Sequence, residues 1–294
     1  MSIQWYPGHM TKARKVLAES LPSQDLVLEV LDARLPGACS NPVLTELRAR
    51  KPCIKLLTKA DLADPAITEA WVTHFEQAKV PIIETANGFL PAGAVRALAI
   101  RQDKGAETRA KIFALCREIV ARGESKKSVR VMIVGVPNVG KSTLVNTLIN
   151  RKVAKVGDVP AVTKSKQVVA LENGILLADN PGLLWPKIEN DEDGARLAFA
   201  GSIPDTAIDL ESIAMWGAEW LLARYGAELS ARYNLAELPR TASELIDEIG
   251  RRRGALRAGG IIDRHKASEA LIRDFRSGTL GRISLEAPPA PRGA

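Results

Sequence analysis

Gly135-Val136-Pro137-Asn138-Val139-Gly140-Lys141-Ser142-Thr143 is the stretch that decides the fold. The apolar, β-branched run Val129 to Val134 precedes it, and a helical pattern over 141–150 follows. The stretch fits G-x-x-x-x-G-K-[ST]. In such a loop the glycines let backbone N–H groups turn toward an anion, and the new helix adds the positive end of its dipole. A chance glycine-rich turn has no reason to sit between a strand and a helix. The reading places Asn138, Val139, Gly140 and Thr143 around bound phosphates. Lys141 reaches the terminal phosphates as the catalytic cation, and the Ser142 hydroxyl is a ligand for Mg²⁺.

Working outward toward the N-terminus, the run Pro52 to Leu57 leads into Thr58-Lys59-Ala60-Asp61, which resembles the NKxD motif of GTPases. A carboxylate at Asp61 accepts two hydrogen bonds from guanine N1–H and N2–H₂, whereas adenine would leave it desolvated and unpaired. Lys59 is expected to lie along the base and brace the phosphate loop. Thr58 stands where an Asn is usual, with a single hydroxyl and a shorter reach. A third strand, Val80 to Glu84, leads into Thr85-Ala86, read as a backbone contact to guanine O6.

Toward the C-terminus, Thr163 lies about twenty residues past Lys141, where a switch Thr would ligate Mg²⁺ in the presence of the γ-phosphate. Asp179-Asn180-Pro181-Gly182 fits DxxG: Asp179 holds the metal through water and the Gly182 N–H touches the γ-phosphate. The next residue, Leu183, cannot orient water by hydrogen bonding, so intrinsic hydrolysis is expected to be slow.

Strands alternating with helices predict an α/β fold, a doubly wound, mainly parallel P-loop NTPase sheet. Beyond about residue 190 only helical patterns remain, at 206–224, 243–253 and 259–276. The expected domains are therefore 1–190 for nucleotide and 200–286 for a smaller all-α unit, with 287–294 a disordered Pro- and Gly-rich tail.

The base reader precedes the phosphate loop. With Gln4-Trp5-Tyr6-Pro7-Gly8-His9-Met10 and Asp32-Ala33-Arg34-Leu35-Pro36, that order closely resembles the YlqF/RbgA family of circularly permuted GTPases over nearly the whole chain. A cytoplasmic monomer is expected, and the resemblance implies a bacterial GTPase that assists late assembly of the large ribosomal subunit. It also implies a helical domain that contacts rRNA and hydrolysis stimulated by ribosomal particles. It makes His9 a catalytic candidate, and imidazole suits orienting or deprotonating water. Packing or RNA binding is the alternative role for His9. Asn138 matches the Asn of potassium-stimulated GTPases, in which K⁺ supplies charge near the phosphates.

Composition agrees with an anionic partner. The chain has 294 residues, a net charge of +7 and a pI near 9.4. Residues 240–282 hold ten Lys/Arg against six acids, and Arg251, Arg252, Arg253 and Arg257 are the RNA-binding candidates. Cys39, Cys53 and Cys116 are widely spaced and form no metal-ligand pattern. No apolar run approaches the length of a membrane helix. The rival readings are a GTPase of tRNA modification, an RNA-binding scaffold with little turnover, and ATP specificity.

Overall fold

A computed structural model describes residues 15, 17–40, 42–48, 51–77, 82–85, 88–91, 95–121, 128–149, 168–171, 174–178 and 190–290. Its centre is a six-stranded sheet with the spatial order β5-β2-β1-β6-β8-β7. These strands are β1 (Leu26–Asp32), β2 (Cys53–Thr58), β5 (Val95–Ala99), β6 (Val129–Gly135), β7 (Val168–Ala170) and β8 (Ile175–Ala178). Five run parallel, and only β7 runs antiparallel, to β8 across the Gly174 hairpin. Every residue of β1 and β2 is buried. That is why their sequences read as continuous apolar runs: a parallel sheet is covered on both faces.

Helices cover the sheet: α1 (Pro36–Cys39), α2 (Pro42–Arg48), α3 (Pro65–Gln77), α4 (Gly105–Ala121) and α5 (Lys141–Ile149). The all-helical region then follows as α6 (Asp191–Phe199), α7 (Leu210–Arg224), α8 (Gly226–Tyr233), α9 (Ala242–Arg253) and α10 (Arg264–Arg276). Its helix ends are well signalled. Thr241 and Glu244 form a reciprocal capping box on α9, and Gly254 closes that helix in the left-handed conformation. One apolar core runs from Leu28, Leu56 and Ile133 in the sheet to Phe199, Leu221 and Phe275 in the helices.

One strand assignment is corrected. Val80 to Glu84 was expected in the main sheet, but β3 (Ile82–Thr85) pairs antiparallel with β4 (Gly88–Pro91) in a separate hairpin. The strand beside β2 is β5, with Leu57 opposite Ala99. Val-Arg-Ala-Leu-Ala at 95–99 supplies the sheet strand.

Candidate nucleotide-binding site

In an open parallel sheet, ligands bind beyond the carboxyl ends of the strands. Here β1, β2, β5 and β6 deliver Asp32, Thr58-Lys59, Ile100 and the phosphate loop to the same edge. Gly135 is required where β6 leaves the sheet, because a Cβ there would lie 2.5 Å from the Val30 carbonyl oxygen. Gly140 has φ +100°, a conformation that L side chains rarely adopt. It opens α5, whose first turn carries no acidic side chain to compete with an anion for its N–H groups and dipole. Lys141 Nζ donates to the carbonyls of Gly135 and Val136 at 2.9 and 2.6 Å, across the mouth of its own loop. Ser142 and Thr143 are exposed beside it.

The base-reading segment is tied to this loop by its own side chains. Lys59, at φ 56°, places Nζ 3.0 Å from the Asn138 carbonyl and 2.9 Å from Asp32 Oδ2. Thr58 Oγ1 lies 2.8 Å from the Leu31 carbonyl and 2.5 Å from that of Val139. Its single proton can serve only one of them at a time. The shorter side chain that replaces Asn thus still joins the base reader to the phosphate loop.

A cleft lies against both segments, lined by Thr58, Lys59, Gln102, Gly140, Thr143 and Leu144 among others. Asp61 adjoins it, with Oδ1 3.4 Å from the backbone N–H of Gln102. The two halves of the motif set therefore meet on one cleft. Thr85 does not share this position. It ends β3 in the hairpin, and the loop after β5, Ile100 to Asp103, occupies the place expected of Thr85-Ala86. The positional signal lay in the order of the strands, not in the dipeptide. Ala86, His9, Thr163, Asp179 and Gly182 lie outside the described residues.

Two further residues were not singled out for a role by sequence reasoning. Asp32, at the end of β1, is buried between Arg34 and Lys59. Arg34 grips it with Nε and Nη2 at 3.0 and 2.8 Å. Burial alone would raise the Asp32 carboxyl, but the Arg34 and Lys59 charges outweigh it and hold it well below the usual carboxylate range. Arg34 is 1% exposed; its Nη1 donates to the Phe275 carbonyl at 3.1 Å, and its guanidinium lies 4.5 Å from that ring's centroid. Asn138 completes a second tie to the helical region, donating from Nδ2 to the Gly201 carbonyl at 2.8 Å.

The four arginines expected to face RNA are divided. Arg251 and Arg252 are exposed and share Glu248. Arg253 is exposed as well but pairs with Asp274, which also holds Arg232. Arg257 lies beyond α9 and pairs with Asp263. Among the described residues no helix is long and apolar enough to cross a membrane.

Comparison with known proteins agrees with the geometry. The family profile described as 50S ribosome-binding GTPase matches residues 130–211. The chain is similar to Ribosome biogenesis GTPase A of Bacillus licheniformis, 42% identical over 295 residues and covering 98% of this chain and 99% of that one. It is also similar to the Mus musculus Mitochondrial ribosome-associated GTPase 1, 31% identical over 305 residues and covering 96% and 90% of the two chains. Among solved structures, GNP-bound YlqF from T. maritima superposes with a TM-score of 0.64 at 28% identity, covering 94% of this chain and 98% of that one. Fold and site together define a P-loop GTPase in circularly permuted order, a GTP hydrolase. The chain belongs to the ribosome biogenesis GTPase A family.

Proposed function

We propose that this GTPase binds an immature large ribosomal subunit in its GTP form, hydrolyses GTP there and leaves in the GDP form. One observation carries the nucleotide half of this reading: the base-reading and phosphate-binding segments line one cleft and are hydrogen-bonded to each other through Thr58 and Lys59. In this reading Asp61 selects guanine, Lys141 exchanges its carbonyl partners for the β- and γ-phosphates, and Gly140, Ser142 and Thr143 present the loop and helix N–H groups. Mg²⁺, when bound with the nucleotide, neutralises developing phosphate charge. Ser142, exposed in the first turn of α5, suits such a metal, and Thr163 and Asp179 complete the proposed ligand set. His9 is the candidate for activating water. The amide nitrogen of Asn138 is engaged by Gly201, which leaves Oδ1 as the end that can meet K⁺.

The ribosomal half rests on family membership and on the exposed arginines of α9, with rRNA the contacted component. The site of action is the cytoplasm, and the chain acts as a monomer. GTP turnover is expected to rise on adding purified large-subunit particles, and more in K⁺ than in Na⁺. Arg251→Glu with Arg252→Glu should weaken particle binding and flatten its salt dependence, since each phosphate contact contributes to the salt slope. Arg253 is left in place because it holds Asp274. Turnover indifferent to particles, with binding unchanged by both reversals, would overturn the ribosomal role.

A further inference from the structure

Past α10 the chain crosses back from the helical region and lies against the base-reading loop. Ile283 N–H donates to the Leu62 carbonyl at 2.9 Å, and Arg282 Nη2 donates to the Ala60 carbonyl at 3.2 Å. The carbonyls of the residues on either side of Asp61 are thus held by consecutive residues of this segment. Two residues further along the loop, the Asp64 N–H donates to Ser284 Oγ at 3.2 Å. Leu285 N–H donates to the Arg34 carbonyl at 2.7 Å, and the Glu286 carboxylate accepts from the N–H groups of Gly37 and Ala38.

The other side of the segment is anchored as firmly. The Tyr225 hydroxyl accepts from Ser284 N–H at 3.0 Å and donates to the Ser284 carbonyl at 3.1 Å. Trp220 Nε1 donates to that same carbonyl at 3.2 Å, and Arg196 Nε donates to the Leu285 carbonyl at 3.1 Å. Ile283, Ser284 and Leu285 are at most 1% exposed. The segment is therefore a strap, hydrogen-bonded along both edges. The loop it grips is short, running from Lys59 to the start of α3 at Pro65.

Reading guanine demands more of this loop than binding phosphate does. Both carboxylate oxygens of Asp61 must meet two adjacent N–H donors on one base edge, and hydrogen bonds weaken steeply with misalignment. We infer that the strap Arg282–Glu286 positions Asp61, so that guanine selectivity depends on Arg282, 222 residues from Ala60, and on Ser284. This inference rests on the reading of Asp61 as the base selector.

The test compares affinities for GDP and for IDP, which lacks the 2-amino group, by displacement of a fluorescent guanine nucleotide. Arg282→Met keeps the length of an exposed side chain but removes the donor. Ser284→Ala removes the acceptor for Asp64 N–H. Each should lower the ratio of GDP to IDP affinity by about threefold to tenfold, the range of one modest hydrogen bond. Arg282→Lys, which can still donate to Ala60, should keep the ratio near that of the unchanged protein. A ratio unchanged in Arg282→Met and Ser284→Ala, or GDP and IDP affinities falling equally, overturns the positioning role. Asp61→Asn in the same assay should switch preference from GDP to XDP. Its failure to do so would remove the base-selector reading and the strap's role with it. A successful switch beside an unchanged ratio would remove the strap alone.

Discussion

Asp32 holds together three parts of the molecule: the end of β1, the base reader through Lys59, and α10 through Arg34. Arg34 and Asp32 are both buried to 1% exposure. Burying such a pair is costly, and its net contribution to stability is small. Removing one partner is another matter, because the remaining charge has neither water nor a counterion. Asp32→Asn is accordingly expected to lower the free energy of unfolding by about 3–5 kcal/mol, measured by urea denaturation. Pairing Asp32→Leu with Arg34→Met should cost clearly less than Asp32→Asn alone. A single substitution no worse than the apolar double change would show that the pair is not electrostatically coupled.

At the scale of elements, the strap and the first turn of α1 meet at Glu286. Burial pushes the Glu286 carboxyl up to about 7, against the opposing pull of the Ala38 and Gly37 N–H groups and the Arg196 guanidinium. The folded state thus holds this proton more tightly than the unfolded chain does. The resulting stability is complete below about pH 4.5 and is lost as pH rises through about 7. Unfolding free energy should fall by roughly 2–3 kcal/mol from this group between about pH 5 and pH 8, with that part of the slope absent in Glu286→Gln. Equal slopes in the two proteins would count against a raised carboxyl. Elements differ in how far they can be read from sequence. The strand–loop–helix unit of β6 and α5 is legible because its apolar run, glycines and lysine are contiguous and each is dictated by local geometry. The hairpin of β3 and β4 was misplaced because Ile82 to Thr85 and Val95 to Ala99 both look like strands, and only pairing decides which joins the sheet. The pairing of Arg253 could not be read from its charge, since its partner Asp274 comes from another helix. The strap was legible only as the approach to a tail, because most of its bonds are made by backbone groups to residues far away in sequence.

Among the described residues, the ties across the two regions of the molecule include Asn138 to Gly201, Arg34 to Phe275, and the strap to the base-reading loop. Two of these ties start from segments that line or brace the nucleotide cleft, and the aromatic pair Phe199–Phe275, 4.6 Å between ring centroids, lies on the helical side of the second. The shared apolar core adds to them. Regions joined this way should unfold together, and a ligand that binds only the folded state then stabilises every part of the cooperative unit equally. At a nucleotide concentration of about 100 times Kd that stabilisation is about 2.7 kcal/mol, so amides that exchange only through global unfolding slow by about 100-fold. Hydrogen exchange with and without GDP reads this directly. The slowest amides of α7 and α10, around Leu221 and Leu271, are expected to slow by the same factor as those of β6 and α5, although they belong to helices of the other region. Asn138→Ala cuts a tie without touching the core, so it should leave the effect on Leu221 and Leu271 intact unless that single hydrogen bond carries the coupling. Protection confined to β6 and α5, with α7 and α10 exchanging as before, would mean that the two regions open independently. Nucleotide could then inform the arginines of α9 only through a local movement and not through the stability of the fold.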